Sequence, residues 1–512
     1  MSATPLPAIR FLGDRSKPDY PAVAHLLRNY AAHLGAGLIE VADSEATITE
    51  AAVAQDRFTH AAADVYWGCA PVNPENPCLV FPARASAAAA LTCSRTRAGY
   101  PVPPAGLAFP GSTGGSALPG GPALTSNADI LDAAGDVALA WDRDRRMLSS
   151  GWDLLSFCAD ILFRRADHLP SRRVEAREAI GVGQWDQAFG LLDEPWVDRW
   201  MFRLLGELPR LGDAVTALPG QARLWLTHDL DNLAKWRIRS VAGQILRTPW
   251  QLARGRFAPL ARAWSEIAVK AITGRDPFDV MDRVLAMEAG RRSANFFLAN
   301  GRDHLFHRYD LAREPFRRVM LGCLEKGMDV GLHGQVHFIS DGAAIAAEKR
   351  KMERLSGTPI RLNRQHYLRW DPTATFAGLE AAGIVVDSTL GYNDSPGFRT
   401  GSAFPFLWFD CASGKPTRLL EVPLILGEFQ FYDPRCFDGE SVRARMKGYL
   451  EAATRQGGVF TALFHNDYFY EKQFPGHGAV YADLLSYAGV KGLPDFDPLG
   501  THARYVGADA RP

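Results

Sequence analysis

From residue 223 onward the sequence alternates short apolar segments of strand length with longer amphipathic segments that have helical spacing. Repeated strand–helix alternation predicts an α/β fold with a parallel sheet or barrel, because each helix returns the chain to the start of the next strand. In such folds the active groups lie at the carboxyl ends of the strands, and several of these segments end in polar residues. The apolar segments are RLWLT (223–227), SANFFLA (293–299), MDVGLH (328–333), IVVDST (384–389), LLEVPLI (419–425) and VFTALFH (459–465).

The chain is too long for one ordinary hydrophobic core. At 512 residues, two or three domains are expected. The segment ALPGQ at 217–221 contains a Pro and a Gly that interrupt the helical pattern just before the first apolar strand. The sequence therefore predicts a smaller α/β accessory domain over residues 1–216 and a (β/α) barrel over residues 217–512.

Charge, cysteine content and hydropathy argue against several classes of protein. Lys+Arg and Asp+Glu both total 57, so the zero net charge gives no reason to expect nucleic-acid binding. The seven cysteines are scattered and form no CxxC pair, so neither a disulfide framework nor a cysteine zinc site is expected. There is no run of about 18 apolar residues, and the first residues lack the apolar core of a secretory signal. A cytoplasmic protein is expected.

Two histidines four residues apart follow the strand predicted at 328–333. His333 and His337 would present both imidazoles on one face if the segment were helical, and such a pair binds one metal ion well. The alternative is two unrelated polar histidines at a strand end.

Two aspartates end the first apolar strand of this half. Asp229 and Asp231 are two residues apart, so both side chains of an extended segment could point toward one site. A solvated loop or a helix cap is the alternative. His465 ends a later apolar strand, where a lone histidine is more often structural than functional. Arg364 lies just before a predicted helix and by itself suggests no function.

Five short motifs follow one another between residues 220 and 480. In this order they resemble the polysaccharide deacetylase family, also called the NodB-homology fold or carbohydrate esterase family 4. The segment GFRTGSAFPF is similar to a large subgroup of that family, which has a THDxD motif and an extra N-terminal domain. The resemblance implies a distorted (β/α) barrel. The motifs are THDLD (227–231), HGQVH (333–337), RQHY (364–367), DST (387–389) and LFH (463–465).

The resemblance also implies a function and a metal site. It implies that the protein removes an N-acetyl group from an amino sugar of a glycan or glycan precursor and releases acetate. Asp231, His333 and His337 would hold a divalent ion, with Zn²⁺ favoured and Co²⁺, Ni²⁺ or Fe²⁺ compatible with the same ligands. The alternatives are another amide or ring C–N hydrolase on the same fold, and a glycan-binding relative without turnover.

The catalytic roles follow from the same resemblance. Asp229 would be the general base, Arg364 would orient it, and His465 would protonate the leaving amine. Tyr367 and Arg399 would lie at the substrate or oxyanion position. Leu230 separates aspartates that are often adjacent in the family, so the assignment of base and ligand between them stays open. Two further departures are Gly334, where the family favours Ser or Thr, and His366, where it has Pro.

A basic segment interrupts the predicted barrel at 232–275. It contains nine Lys or Arg residues and a single acid, Glu266. One interpretation is a solvated helical hairpin. The other is an amphipathic surface that contacts anionic lipid, since basic residues beside Trp and Leu are typical of interfacial helices.

Overall fold

The residues that the structure describes form two β-sheets. The protein is described from a computed structural model. The described residues are 8–13, 20–34, 37–40, 61–67, 78–81, 140–142, 147–149, 154–168, 173, 192–206, 211–300, 310–431 and 438–509.

The first sheet belongs to the N-terminal part of the chain and has six strands in the order β2-β1-β3-β4-β6-β5. All neighbours are parallel except β5 and β6. An α/β accessory domain over 1–216 is compatible with this sheet, and its boundary stays a prediction. The strands are β1 (Ala8–Gly13), β2 (Gly37–Glu40), β3 (Ala61–Trp67), β4 (Cys78–Phe81), β5 (Ala140–Asp142) and β6 (Met147–Ser149).

The second sheet has nine strands in the order β12-β13-β11-β10-β9-β8-β7-β15-β14. Only β12 and β13 pair antiparallel, and no pairing between the edge strands β12 and β14 closes the sheet within the described residues. The expected α/β fold with a distorted barrel is thereby confirmed, and the structure adds that the sheet is open between β12 and β14 in the described part of the chain. The strands are β7 (Arg223–Leu230), β8 (Ser293–Phe297), β9 (Asp329–Gly334), β10 (Leu362–Gln365), β11 (Val386–Asp387), β12 (Phe406–Asp410), β13 (Lys415–Glu421), β14 (Leu426–Gly427) and β15 (Val459–Leu463).

Helices connect most of these strands, as the alternating pattern predicts. Among the described residues, no helix is both long enough and apolar enough to span a membrane. The helices are α1 (Tyr20–His33), α2 (Leu154–Leu162), α3 (Trp196–Gly206), α4 (Gly212–Ala217), α5 (Ile238–Ala253), α6 (Phe257–Thr273), α7 (Met281–Met287), α8 (Phe316–Glu325), α9 (Gly342–Ser356), α10 (Thr375–Ala381), α11 (Gly439–Thr454), α12 (His477–Val490) and α13 (Pro498–Asp509).

Strand β7 is an interior strand of the second sheet, and all of it but the first residue is buried. It lies between β15 and β8, with Thr227 opposite Leu463 and Leu230 opposite Phe297. Since parallel strands run in one direction, their carboxyl ends meet at one edge of the sheet. This register brings the residues that follow β7, β9, β10 and β15 to the same edge.

Helices that precede residue 217 share the core of the second sheet. In α1, the amide of Asn29 donates to the backbone carbonyl of Leu407 in β12 (3.1 Å) and accepts from its N–H (2.7 Å). In α3, buried Asp198 accepts from the hydroxyl of Ser402 and the N–H of Ala403, both at 2.6 Å. These contacts tie the N-terminal helices to β12 and to the segment that precedes it.

Candidate active site

Three buried side chains of metal-ligand type meet at the carboxyl edge of the second sheet. Asp231 follows β7, His333 lies at the end of β9, and His366 follows β10. One nitrogen or oxygen atom from each residue lies within 4.8 Å of the other two. Within the described ranges, this is the one group of three or more His, Cys, Asp or Glu residues with such spacing.

The donor atoms of this cluster fit a divalent cation. Asp231 Oδ1 is 3.2 Å from His333 Nε2, and Asp231 Oδ2 is 3.3 Å from His366 Nε2. Ligands placed 2.0–2.1 Å from a tetrahedral ion are about 3.3 Å apart. Asp231 Oδ1 and His333 Nε2 are buried and have no hydrogen-bond partner among the described residues, which is unusual for buried polar atoms. A cation between them would satisfy both.

The hydrogen bonds and charges around the cluster also favour binding of a cation. His333 Nδ1 lies 2.8 Å from the backbone carbonyl of Arg364 and donates to it, so Nε2 presents its lone pair toward Asp231. Burial opposes ionisation of Asp231, but the positive charge that the imidazoles of His366 and His333 carry when protonated outweighs it and holds the pKa of this carboxyl well below its usual value. A bound cation would take the place of those protons. The cluster therefore offers an anionic oxygen beside imidazole nitrogens.

The predicted ligand His337 is not among the donor atoms that lie within 4.8 Å of one another in this cluster. The prediction assumed a helix between His333 and His337. Instead β9 runs to Gly334, Gln335 is extended (φ −70°, ψ 142°), and only the short 3₁₀ turn Val336–Phe338 follows. The two residues are therefore not joined by a continuous helix, and the side chain of His337 is exposed.

His366 occupies the position beside Asp231. It is 1% exposed, and its ring centroid is 4.9 Å from that of His333. The next two residues, Tyr367 and Leu368, have left-handed backbone angles, with φ of 58° and 52°. The chain therefore turns sharply after β10, at the position where the resembled family has Pro.

Gly334 departs from the family pattern for a steric reason. A Cβ at this position would collide with the side chain of Gln365, which is fully buried on the neighbouring strand. Any larger residue at 334 would displace Gln365, which directly precedes His366.

Asp229 is held by the fully buried guanidinium of Arg364, as the resemblance implies. Arg364 Nη1 donates to Asp229 Oδ1 (3.0 Å) and to the Thr227 hydroxyl (2.8 Å). Its other nitrogens donate to the carbonyl and the hydroxyl of Ser388, both at 3.0 Å. Asp229 Oδ2 lies 3.7 Å from His333 Nε2. One carboxylate oxygen is thus anchored while the other faces the cluster.

His465 approaches the cluster from β15. Its Nε2 is 3.6 Å from Asp231 Oδ2, and its Nδ1 donates to Glu428 Oε1 at 2.6 Å. Burial lowers the pKa of His465, but the carboxylate of Glu428, with smaller contributions from Asp231 and Asp229, raises that pKa to about 10. The imidazole is therefore protonated at neutral pH and can donate a proton.

Glu428 contacts His465 in the candidate site and was not singled out by the sequence patterns. It follows β14, which pairs parallel with β15 through Leu426 and Ala462. That pairing places the carboxylate beside His465, whose backbone N–H also donates to Glu428 at 3.1 Å. The sequence offers only a glutamate after a short apolar segment, which is too common a pattern to single out.

A second missed feature is a buried ion pair behind the site. His228 donates from Nδ1 to the carbonyl of Phe464 (2.7 Å) and from Nε2 to Glu288 (2.6 Å). Burial lowers the pKa of His228, but Glu288 more than compensates, so the pKa is raised. Because Phe464 directly precedes His465, this pair joins the end of β7 to the backbone that carries His465.

Tyr367 and Arg399 lie in different surroundings. Tyr367 is 42% exposed, and its ring stacks on His366 with centroids 4.1 Å apart. It therefore stays a candidate for substrate contact. Arg399 is buried, donates to the carbonyl of Gly391 (2.9 Å) and lies 3.5 Å from Asp167, in the N-terminal part of the chain. These contacts indicate a structural role for Arg399 and do not bring it to the cluster.

Several solved structures are similar to this chain at low identity. A protein assigned as a polysaccharide deacetylase from Mycobacterium smegmatis is 15% identical, with 57% of this chain and 92% of that chain covered and a TM-score of 0.38. One assigned in the same way from Pseudomonas aeruginosa is 14% identical, with 57% and 94% covered and the same TM-score of 0.38. The Puue allantoinase is 14% identical, with 57% and 91% covered and a TM-score of 0.38. No protein-family model and no curated protein matches the chain.

Proposed function

We propose that this chain is a divalent-metal-dependent hydrolase of the polysaccharide deacetylase type, which removes the N-acetyl group of an amino sugar and releases acetate. The proposal is carried by three kinds of group that lie together at the carboxyl edge of the second sheet: metal ligands, a candidate general base and a candidate general acid. Asp231, His333 and His366 offer metal ligands, Asp229 lies 3.7 Å from His333, and His465 lies 3.6 Å from Asp231.

Each group has a role in hydrolysis of an amide. Asp231, His333 and His366 would hold a divalent ion, which would supply the Lewis acidity that polarises a carbonyl and lowers the pKa of water. Asp229, oriented by Arg364, accepts the proton of the attacking water. Protonated His465 gives a proton to the nitrogen that leaves, because an amine anion is a very poor leaving group. The products are acetate and a free amine.

The acid–base arrangement favours an enzyme over a glycan-binding relative. A binding module needs neither an anchored carboxylate nor a protonated imidazole beside a metal site. The choice of an N-acetyl sugar over another C–N substrate comes from the motif resemblance, and ligand chemistry favours Zn²⁺ while Co²⁺, Ni²⁺ and Fe²⁺ fit the same donors.

The proposal is tested by measuring metal content and product release together. The full chain, purified and then loaded with Zn²⁺, is expected to release acetate and an equal amount of free amine from at least one N-acetylated substrate. The panel comprises free N-acetyl sugars, nucleotide-linked sugars and oligomers, with cyclic amides as the competing class. Hydrolysis of the cyclic amides alone would replace the N-acetyl sugar as the proposed substrate. If the metal-loaded chain hydrolysed no substrate of the panel, the proposed hydrolase activity would be contradicted.

Glu428→Gln is expected to shift the alkaline limb of the pH profile of kcat/KM to lower pH. A general acid must carry its proton, so activity falls as pH rises through its pKa, and Glu428 raises the pKa of His465. Removing that carboxylate lowers the pKa and moves the limb downward. The exposed Glu325→Gln serves as the control. A uniform loss of rate at every pH would mean that Glu428 only orients the imidazole.

A further inference from the structure

Exposed hydrophobic side chains are concentrated in one part of the molecule. Among the described residues, eleven large hydrophobic side chains are exposed, and nine of them lie in the hairpin formed by α5 and α6 (238–273). Ile238, Leu246 and Ile272 are 90%, 80% and 84% exposed. A soluble surface seldom gathers so many apolar side chains in one place without a partner.

These side chains form a stripe along each helix of the hairpin. On α5 the exposed Ile238, Ile245 and Leu252 recur every seven residues. On α6 the exposed Phe257, Trp264 and Ile272 recur at seven and eight residues, while buried Leu260 and Ala263 face inward. Helical periodicity places such positions on one face, so each helix presents an apolar stripe to solvent.

The charge around the stripes is of one sign. Arg247, Arg254 and Arg256 are exposed, and so are Arg262 and Arg275. The single acid of the segment is buried and already engaged. Glu266 is 5% exposed, forms an ion pair with Lys235 at 3.0 Å and accepts from the hydroxyl of Tyr470 at 2.6 Å. The exposed surface of the hairpin is therefore apolar and basic.

The base of the hairpin is attached to the two segments that carry the active site. Glu266 contacts Lys235, which is four residues after Asp231, and Tyr470, which is five residues after His465. Trp236 belongs to this base and not to the apolar stripe, because its Nε1 donates to Glu266 at 2.7 Å. A surface bound by the hairpin would consequently lie near the site.

We infer that the α5–α6 hairpin docks the protein on an anionic lipid bilayer. An apolar helical face flanked by arginines matches the hydrophobic and charge requirements of an anionic interface, where the hydrocarbon region accepts the stripe and the headgroups pair with the guanidinium groups. A second copy of the chain is disfavoured as the occupant, because two hairpins without exposed acids would repel each other. Resting on the proposed function, docking further implies that the amino sugar is held at the bilayer surface.

Co-sedimentation of the full chain with vesicles tests this docking. Recovery is expected to be high with vesicles of phosphatidylcholine and phosphatidylglycerol, low with phosphatidylcholine alone, and reduced by salt because surface charges are screened within a Debye length of roughly 8–10 Å. Arg247→Gln with Arg254→Gln is expected to weaken binding by roughly 25-fold, at about 5-fold for each basic residue near the surface. Leu246→Ser with Ile272→Ser is expected to weaken it by roughly tenfold or more.

Matched controls lie on other exposed surfaces. Val490→Ser changes a hydrophobic side chain that is 83% exposed in α12, and Lys326→Gln with Arg350→Gln removes two exposed charges; neither variant should alter recovery. Equal recovery with both vesicles, or unchanged recovery of the hairpin variants, would overturn the docking. Dimers that form without vesicles and are lost in the hairpin variants would assign the surface to a second copy. Sedimentation needs no turnover, and acetate release from a soluble substrate needs no vesicles, so docking and hydrolysis can fail independently.

Discussion

Replacing His366 with alanine is expected to remove the bound divalent ion and nearly all turnover, whereas the same replacement at His337 is expected to leave both intact. His366 is buried with its Nε2 3.3 Å from Asp231 Oδ2, while His337 is exposed beyond the end of β9. Mutating a residue that merely orients a ligand typically costs about 10–100-fold in metal affinity or activity. Loss of the ligand itself should exceed that.

The measurement is the number of metal ions per chain after removal of loosely bound ions, together with hydrolysis rate and circular dichroism. The histidine-to-alanine change is identical in the two variants, so each is the control for the other. If His337→Ala loses the ion and His366→Ala retains it, the ligands are Asp231, His333 and His337, as the HxxxH spacing predicts.

Asp229→Asn is expected to retain the ion and to lower turnover by about 10²–10⁴, the usual effect of removing a positioned general base. Asparagine has nearly the same shape as aspartate, and its oxygen can still accept from Arg364. Arg364 also keeps its hydrogen bonds to Thr227 and Ser388, so its guanidinium does not lose every partner. The neutral amide, however, cannot take a proton from water.

Asp231→Asn is the matched variant, because it makes the same chemical change at the proposed ligand. It should lose the ion. Urea unfolding of both variants separates catalytic loss from loss of folded protein. An Asp229→Asn protein without metal, beside an Asp231→Asn protein that keeps it, would exchange the roles of the two aspartates, which the intervening Leu230 leaves open at the level of sequence.

Much of the sheet and of the site could be predicted from local patterns. The apolar run that leads into THDLD is strand β7, the runs at 293–299 and 459–465 contain strands β8 and β15, and the run at 328–333 covers all of β9 but its last residue. Parallel strands place their carboxyl ends at one edge. Asp229, Asp231 and His465, which follow or end such strands, were therefore expected to meet, and their side chains do lie around one cluster.

By itself, then, the sequence determined the alternation of strands and helices, the edge at which polar groups gather, and the types of donor present there. Periodicity and strand direction are local properties, so they can be recognised from neighbouring residues alone. Which histidine faces Asp231 was decided only by the tertiary structure. That choice depends on backbone angles after the strands end, extended at Gln335 and left-handed at Tyr367, which residue type does not set. Glu428 reaches His465 only because β14 pairs with β15. Arg399 lies beside Asp167, a residue more than two hundred positions earlier in the chain. These contacts join residues distant in the chain, and their geometry arises only when the whole sheet and its covering helices are packed together.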